Sequence, residues 1–306
     1  MLSRLFPLCG RNHDNARDGG PAATVIGMPS AQIPWRGPGS DRPALPLPPG
    51  PMPLRLHGQT RKRWRYIGLF GEELMLCAAR AEIGPLGQCF WVMWDRQGRR
   101  HRAHTSLRPG SREVWMDGPR LEIDSPGLRA SLTLGEAAPI ETICPSGAGW
   151  GWTRKRAGVP IEGTVEVPGR RWQVSAQGVD DESAGYHQRQ TSWHWSAGVG
   201  EASDGRALAW NLVEGVNDPA VDSERAVWVD GVPHEPAPVR FRGLDAIEFA
   251  AGPALEFSSE SAHARNENFL LVRSRYRHRF GTFSGALDEI PLATGFGVME
   301  QHDAVW

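Results

Sequence analysis

The sequence has 306 residues, among them 36 glycines and 25 prolines, and 34 basic against 35 acidic side chains give a formal net charge of −1. Glycine and proline interrupt helices, so this composition excludes a helical bundle and a long coiled coil. The even charge balance lacks the basic excess of a nucleic-acid-binding protein, and no such partner is expected. Thirteen tryptophans and 40% apolar residues can form a core, which excludes disorder over the whole chain.

Few features of the sequence indicate a metal, a cofactor or a membrane. The cysteines are far apart and none forms a Cys-x-x-Cys pair: Cys9, Cys77, Cys89 and Cys144. No zinc-binding pattern, phosphate-binding loop or dinucleotide fingerprint is present, so we predict no metal and no cofactor. Scattered thiols are typical of a reducing compartment. Because no signal peptide or apolar run of about 18 residues is found, we predict a cytoplasmic protein without an integral membrane segment.

The N-terminal region is unusually rich in proline, with eleven of the 25 prolines before residue 54. We interpret residues 1–32 as a disordered leader. We predict that residues 33–62 form an extended strap, because proline favours polyproline geometry. Apolar side chains within this strap can lie on a protein surface: Trp35, Leu45, Leu47, Met52 and Leu54.

The remaining chain consists of short apolar runs separated by turn signals, about six or seven before residue 163 and about nine after it. This spacing is typical of β-sandwiches and β-barrels. We therefore predict an all-β fold with two packed antiparallel β-barrels or sandwiches and a proline-rich arm. The first β unit is expected over residues 63–162 and the second over residues 163–306.

Alternation along the predicted strands indicates which side chains share a face. Trp193 and Trp195 lie on one face of their strand, whereas Trp210 and Asn211 lie on opposite faces of the next. Both faces of these strands carry apolar or small residues. Such strands are covered on both sides, which suits either a barrel wall with another element packed outside it or two barrels packed together.

The densest group of polar residues lies between positions 179 and 195 and contains Asp181, Tyr186 and His187. A carboxylate, a phenol and an imidazole are the groups that general acid–base catalysis requires. The same composition also fits an ordinary loop, in which Asp and Ser cap turns and His is solvated.

A second polar group follows an apolar strand and comprises Asn211, Glu214, Asn217 and Asp218. Polar side chains at the end of a barrel strand indicate a mouth or cavity. Ordinary turn chemistry is the alternative, because Asn-Asp-Pro forms a turn without any functional role.

The C-terminal strand and a lysine provide two further candidates. Glu300 and His302 are two residues apart and project the same way, so the carboxylate can orient the imidazole and raise its pKa. A surface ion pair is the alternative. Lys155, one of only two lysines, belongs either to a solvated turn or to a buried pair with a carboxylate of the second half.

Several longer segments resemble the family called domain of unknown function 2804. They are DESAGYHQRQTSWHWSAGVG (181–200), AWNLVEGVNDP (209–219), GTFSGAL (281–287) and GFGVMEQHDAVW (295–306), with KRWRYIGLF (62–70) and GWTRKRAGVPIEGTV (151–165) similar to its N-terminal half. The resemblance spans about residues 33–306. More distantly, the chain resembles the carotenoid 1,2-hydratase (hydroxyneurosporene synthase) group. That likeness implies two lipocalin-like barrels and acid-catalysed hydration, cyclisation or isomerisation of apolar polyenes or terpenoids.

Two hypotheses about function follow. The first is a cofactor-independent acid–base enzyme acting on an apolar small molecule, with Asp181, His187, or Glu300 and His302 transferring protons and Tyr186 donating a hydrogen bond. The second is a non-catalytic binding protein for a lipid or isoprenoid-like ligand. In either case the predicted ligand-binding residues are Lys155, Trp193, Trp195, Trp210, Asn211, Glu214, Asn217 and Asp218. The oligomeric state is left open.

Overall fold

The computed structural model describes residues 33–37, 41–108, 110–269 and 272–305. Within these ranges the regular structure consists of 22 β-strands and no helix, so no helix that could cross a membrane is found there. The predicted all-β fold is confirmed. The predicted disordered leader, residues 1–32, lies outside the described residues, as does Cys9.

The first sheet has eleven strands, all pairs of which are antiparallel. They are β1 (Trp35–Gly37), β4 (Lys62–Phe70), β5 (Leu74–Ile83), β6 (Leu86–Asp95), β7 (Arg100–Ser106), β8 (Val114–Asp117), β9 (Arg120–Ser125), β10 (Leu128–Leu134), β11 (Ile140–Ser146), β12 (Gly149–Val167) and β13 (Arg170–Gly185). The order is β7-β6-β5-β4-β13-β12-β10-β9-β8, with β11 beside β12 and β1 beside β11. A separate hairpin is formed by β2 (Arg55–Leu56) and β3 (Gln59–Thr60).

The second sheet has nine antiparallel strands. They are β14 (Gln190–Ala202), β15 (Ala207–Glu214), β16 (Ala226–Val229), β17 (Val232–His234), β18 (Arg240–Arg242), β19 (Ala246–Glu248), β20 (Leu255–Phe269), β21 (Val272–Leu287) and β22 (Ile290–Val305). Their order in the sheet is β17-β16-β15-β14-β22-β21-β20-β19-β18. The boundary predicted between residues 162 and 163 falls within β12. The chain changes from one sheet to the other between Gly185 and Gln190.

Burial along the strands follows from the alternation of side chains. In β10, Leu128, Ala130, Leu132 and Leu134 are buried and the intervening side chains are exposed. In contrast, almost every residue of β15 is buried, because both faces of that strand are covered. The coverage of both faces that the sequence predicted for this strand of the second sheet is therefore observed.

Each sheet curves around a core of its own, and a third core lies between the two sheets. In the first sheet, Trp91 of β6 donates from Nε1 to Ser125 Oγ of β9 at 2.9 Å, which joins strands far apart in the sheet order. Trp210 and Phe283 pack within the second sheet. The shared core contains Phe70, Met75 and Trp94 from the first sheet and Trp195, Phe280 and Val298 from the second.

The arm packs on the first sheet. Trp35 pairs with Ile143 through the β1–β11 ladder, and Leu47 and Met52 are buried against Trp150 and other aromatic rings. The arm also contacts the second sheet, because Arg36 donates to the Arg225 carbonyl at 2.9 Å. The extended arm is thus a packed part of the fold.

We expect the arm to contribute measurably to the free energy of unfolding. Replacing Leu47, which is 3% exposed, by Ala should cost about 2–4 kcal/mol, because a buried cavity replaces packed apolar surface. Leu54 belongs to the same arm but is 55% exposed, so Leu54→Ala should change stability by less than about 0.5 kcal/mol. Urea denaturation of both variants measures this difference. Equal losses would show that the arm does not pack as described.

Candidate functional site

A cavity of about 140 Å³ opens between the two sheets and is lined by both. A cavity that holds one water molecule has a volume of roughly 10–15 Å³ by the same measure, so this cavity has room for part of an organic molecule. Six aromatic side chains contribute to its lining: Trp64, Tyr66, Phe90, Trp193, Trp195 and Tyr276. A concave, mostly apolar space with a few polar groups is the usual form of a small-molecule site.

Strand register brings the polar groups of the cavity together. On neighbouring strands β14 and β22, Trp195 pairs with Glu300 and Trp193 pairs with His302. Tyr276 of β21 pairs with His302 from the other side. Side chains that are directly opposite in antiparallel strands lie side by side, so this face of the second sheet presents a carboxyl group among aromatic rings.

Glu300 is buried and is held by two donors. Trp193 Nε1 donates to Oε1 at 3.0 Å, and the Tyr276 hydroxyl donates to Oε2 at 2.8 Å. Burial raises the pKa of the Glu300 carboxyl to about 7, although these two hydrogen bonds favour the charged form. A carboxyl group with this pKa can both give and take a proton near neutral pH.

The predicted pairing of Glu300 with His302 stays a prediction. Glu300 accepts from Trp193 and Tyr276, whereas His302 Nε2 lies 2.8 Å from Ser274 Oγ and its ring packs on Trp193 with 4.4 Å between ring centroids. Burial lowers the pKa of His302 to about 4 and outweighs the nearby Asp303 carboxylate, which raises it. The imidazole is therefore neutral at physiological pH.

A buried ion-pair cluster lies on the other side of the cavity. Lys155 Nζ is 2.6 Å from Asp181 Oδ2 and 3.5 Å from Glu224 Oε1. Burial opposes the charge on Lys155, but the two carboxylates outweigh it and raise its pKa. Burial raises the pKa of Asp181 and of Glu224 despite the nearby ammonium group. Asn217 Nδ2 donates to Glu224 Oε2 at 3.0 Å.

His187 lines the cavity beside this cluster. The residue is 2% exposed, and neither ring nitrogen has a hydrogen-bond partner among the described residues. Burial, with smaller effects of Lys62 and Lys155, lowers the pKa of His187 to about 3. Gly151 leaves space for the ring, because a Cβ at that position would lie 3.1 Å from Nε2.

Tyr186 and Trp210, both predicted to belong to the site, lie outside the cavity lining. The Tyr186 side chain points away from that of its neighbour His187. Its hydroxyl donates to the Pro53 carbonyl of the arm at 2.7 Å. Trp210 faces the core of the second sheet, where Nε1 donates to Ser196 Oγ at 3.1 Å.

Three other predicted ligand-binding residues also lie outside the lining. Glu214 accepts a hydrogen bond from the Phe241 amide at 2.8 Å, and Asp218 accepts one from the Gly215 amide at 2.7 Å. Both act in local structure. Asn211 is closer, since its Oδ1 accepts from Trp195 Nε1 at 2.8 Å and therefore holds a cavity-lining ring from behind.

The cavity thus brings together eight of the predicted residues: Lys155, Asp181, His187, Trp193, Trp195, Asn217, Glu300 and His302. Sequence reasoning missed Trp64, Tyr66, Glu224 and Tyr276, which line the same space. Alternation in β4 could have indicated Trp64 and Tyr66, whereas Glu224 lies outside any strand and offers no signal. Over the described ranges, no group of three or more His, Cys, Asp or Glu side chains is arranged to hold a metal ion.

Together these features define an all-β protein with two packed sheets and, between them, a cavity lined by aromatic and ionisable side chains. The chain belongs to the family described as a domain of unknown function (DUF2804), whose model matches residues 103–306. No curated protein matches the chain.

Solved structures with a similar chain path include a protein assigned as AttH from Nitrosomonas europaea. Its sequence is 12% identical, the match covers 79% of this chain and 92% of that one, and the TM-score is 0.49. Kievitone hydratase from Nectria haematococca is 8% identical, with coverage of 80% of this chain and 88% of the other and a TM-score of 0.46.

We expect Lys155→Met to destabilise the fold by about 3–5 kcal/mol at neutral pH, because two carboxyl groups would stay buried without their cation. The loss should shrink toward low pH, where Asp181 and Glu224 become protonated. Urea denaturation at several pH values measures both effects. Arg154→Met is the matched control, since the Arg154 side chain is 42% exposed and should contribute less than about 1 kcal/mol. A pH-independent loss in Lys155→Met would contradict this account.

The raised pKa of Glu300 predicts a pH-dependent contribution to stability. Its pKa rises from 4.5 to about 7 on burial, so the folded state holds the proton more tightly than the unfolded state. Stability from this group is complete below pH 4.5, falls as pH rises to about 7 and amounts to about 3 kcal/mol. In urea denaturation at several pH values, the free energy of unfolding of Glu300→Gln should lack this decrease between about pH 4.5 and 7. Glu201→Gln, at an exposed position of β14, should retain it.

Proposed function

We propose that the protein is a cofactor-independent acid–base enzyme of the hydratase, cyclase or isomerase type, acting on an apolar small molecule. The observation that supports this most strongly is the environment of Glu300. Its carboxyl group is buried in an aromatic cavity, carries a pKa of about 7 and is held by Trp193 and Tyr276. General acids near this pKa operate well at neutral pH.

In the proposed reaction, Glu300 transfers its proton to one carbon of a substrate double bond. The carboxyl O–H bond breaks, a C–H bond forms, and the alkene π electrons supply the new bond, which leaves a carbocation and the Glu300 carboxylate. Water then adds to the cation and returns a proton to Glu300 in a hydration. In an isomerisation a neighbouring carbon loses a different proton to the Glu300 carboxylate or another acceptor of the cavity, and the electrons of the broken C–H bond form the new double bond. In a cyclisation a second double bond of the substrate attacks the cation before that proton is lost.

The groups around Glu300 can stabilise both charges formed in this reaction, the Glu300 carboxylate and the substrate cation. Trp193 and Tyr276 donate hydrogen bonds that stabilise the carboxylate formed when the proton leaves. The faces of Trp195 and Tyr66, whose ring centroids are 5.1 Å apart, offer negative π density to a cation. Tyr276 thereby takes the hydrogen-bonding role that the sequence suggested for Tyr186. His302, neutral at physiological pH, and Asp181 are candidate proton acceptors.

Deuterium incorporation tests this proposal whichever product is formed. The protein is incubated in D₂O with oleic acid, geraniol or β-carotene, and the recovered compounds are analysed by mass spectrometry. Protonation of a carbon leaves a C–D bond, and hydration also adds the mass of heavy water. We expect activity in the wild type and in Glu201→Gln and at least a 100-fold loss in Glu300→Gln. Full activity in folded Glu300→Gln would exclude Glu300 as the proton donor.

A non-catalytic binding protein for a lipid or isoprenoid-like ligand is the second candidate. One observation favours it: the ionic groups Lys155, Asp181 and Glu224 already pair with each other, as in an internal structural network. Tryptophan fluorescence titrated with the same compounds separates the two functions. Saturable quenching with unchanged, undeuterated ligand would support binding alone.

A further inference from the structure

His187 is a buried polar side chain for which the protein supplies no hydrogen bond. Both ring nitrogens lack a partner within the part of the chain that the structure describes, although the His187 backbone carbonyl accepts from Lys62 Nζ at 2.9 Å. Buried polar groups without partners are costly and rare in native proteins. A second such atom, Asp181 Oδ1, belongs to another residue that lines the same cavity.

The position of His187 is built rather than incidental. Gly151 and Gly185 flank the ring, and a Cβ at Gly185 would lie 3.0 Å from His187 Cε1. Any larger residue at these two positions would press on the imidazole. Trp64 covers it, with ring centroids 5.2 Å apart. The protein therefore holds an imidazole without a hydrogen-bond partner at the edge of the cavity.

From His187, a row of rings leads along the cavity to Glu300. Trp64 is parallel to Trp193, with 6.4 Å between ring centroids and an interplanar angle of 5°. Trp193 contacts His302 at 4.4 Å, and His302 contacts Tyr276 at 5.3 Å. Trp193 and Tyr276, both members of this row, donate hydrogen bonds to Glu300. An apolar skeleton lying on this row would have one end at the imidazole and the other near the proton donor.

The charges near His187 indicate which polar group fits. Lys155 and Lys62 lie close enough to disfavour a further cation there. Asp181 and Glu224 match these two lysines in number, so a ligand carboxylate would add a net negative charge to a buried set that is formally neutral. A neutral imidazole offers one donor and one acceptor, and a hydroxyl group offers the same pair in return.

We propose that His187 is the specificity-determining residue for a substrate that carries an uncharged hydroxyl group at one end of its apolar skeleton. This inference deepens the proposed function: that the bound molecule is a substrate rests on the proposed function, whereas the hydroxyl-binding site does not. The hydroxyl would hydrogen-bond to His187, and the skeleton would lie on the aromatic row toward Glu300. The imidazole would select and orient the molecule, and it would not exchange protons with the reacting carbon.

Three probes with ten carbons test this assignment by binding alone: geraniol, the hydrocarbon myrcene and geranic acid. Affinities come from tryptophan fluorescence quenching of the full-length protein at pH 8, where geranic acid is ionised. We expect the wild type to bind geraniol at least tenfold more tightly than either of the other probes, since only geraniol satisfies the imidazole. Myrcene or geranic acid binding as tightly as geraniol, or no measurable binding of geraniol, would overturn the proposal.

Variants assign the preference to His187. In His187→Leu the tenfold preference for geraniol over myrcene should fall to about twofold or less, whereas His234→Leu, at an exposed histidine, should retain it. His187→Gln keeps a donor and an acceptor and should retain part of the preference, which separates lost hydrogen bonding from disturbed packing. A full preference in folded His187→Leu would overturn the proposal.

The same measurement on Glu300→Gln separates this inference from the proposed function. Glu300→Gln should lose deuterium incorporation but keep the preference for geraniol, because the two residues act at different ends of the ligand. If geraniol is preferred but never deuterated, the acid–base proposal fails and the assignment of the hydroxyl site stands.

Discussion

The buried contacts of Lys155 connect the two halves of the molecule. Lys155 and Asp181 belong to adjacent strands of the first sheet, whereas Glu224 precedes β16 of the second. An ammonium group that is 3% exposed is tolerated only with a charged partner. The sheets must therefore pack so that Glu224 reaches Lys155. The contact between Lys155 and Glu224 therefore restrains how the two sheets pack, and both residues line the cavity.

The same burial accounts for the protonation states of the whole cavity. Removal from water disfavours the charged form of any group, so the pKa of Glu300 rises to about 7 while those of His187 and His302 fall to about 3 and 4. Near pH 7, Glu300 is then present both as the acid and as the carboxylate, together with two neutral imidazoles. Lys155 stays charged because its partners outweigh its desolvation. In a surface-exposed set the carboxyl group would be ionised, and each imidazole would titrate near its ordinary pKa of about 6.5.

The sequence was sufficient to predict what depends on local alternation. It predicted β-strands and the faces of Trp193, Trp195 and Glu300, because each follows from a period of two residues, and it predicted the arm from its prolines. It could not predict contacts that depend on how strands and sheets meet. Glu300 and His302 share a face, yet the partners of Glu300 are Trp193 and Tyr276 on the two flanking strands.

Tyr186 and His187 show how closely the arm and the cavity are connected. These consecutive residues point in different directions, so the Tyr186 hydroxyl holds the Pro53 carbonyl of the arm while the His187 ring lines the cavity. The His187 carbonyl is held in turn by Lys62 at the start of β4. Pro53 and Lys62 flank the β2–β3 hairpin, so one short stretch of chain contacts both residues. The arm therefore restrains the backbone that positions the imidazole, and its packing contributes to the geometry of the site as well as to stability.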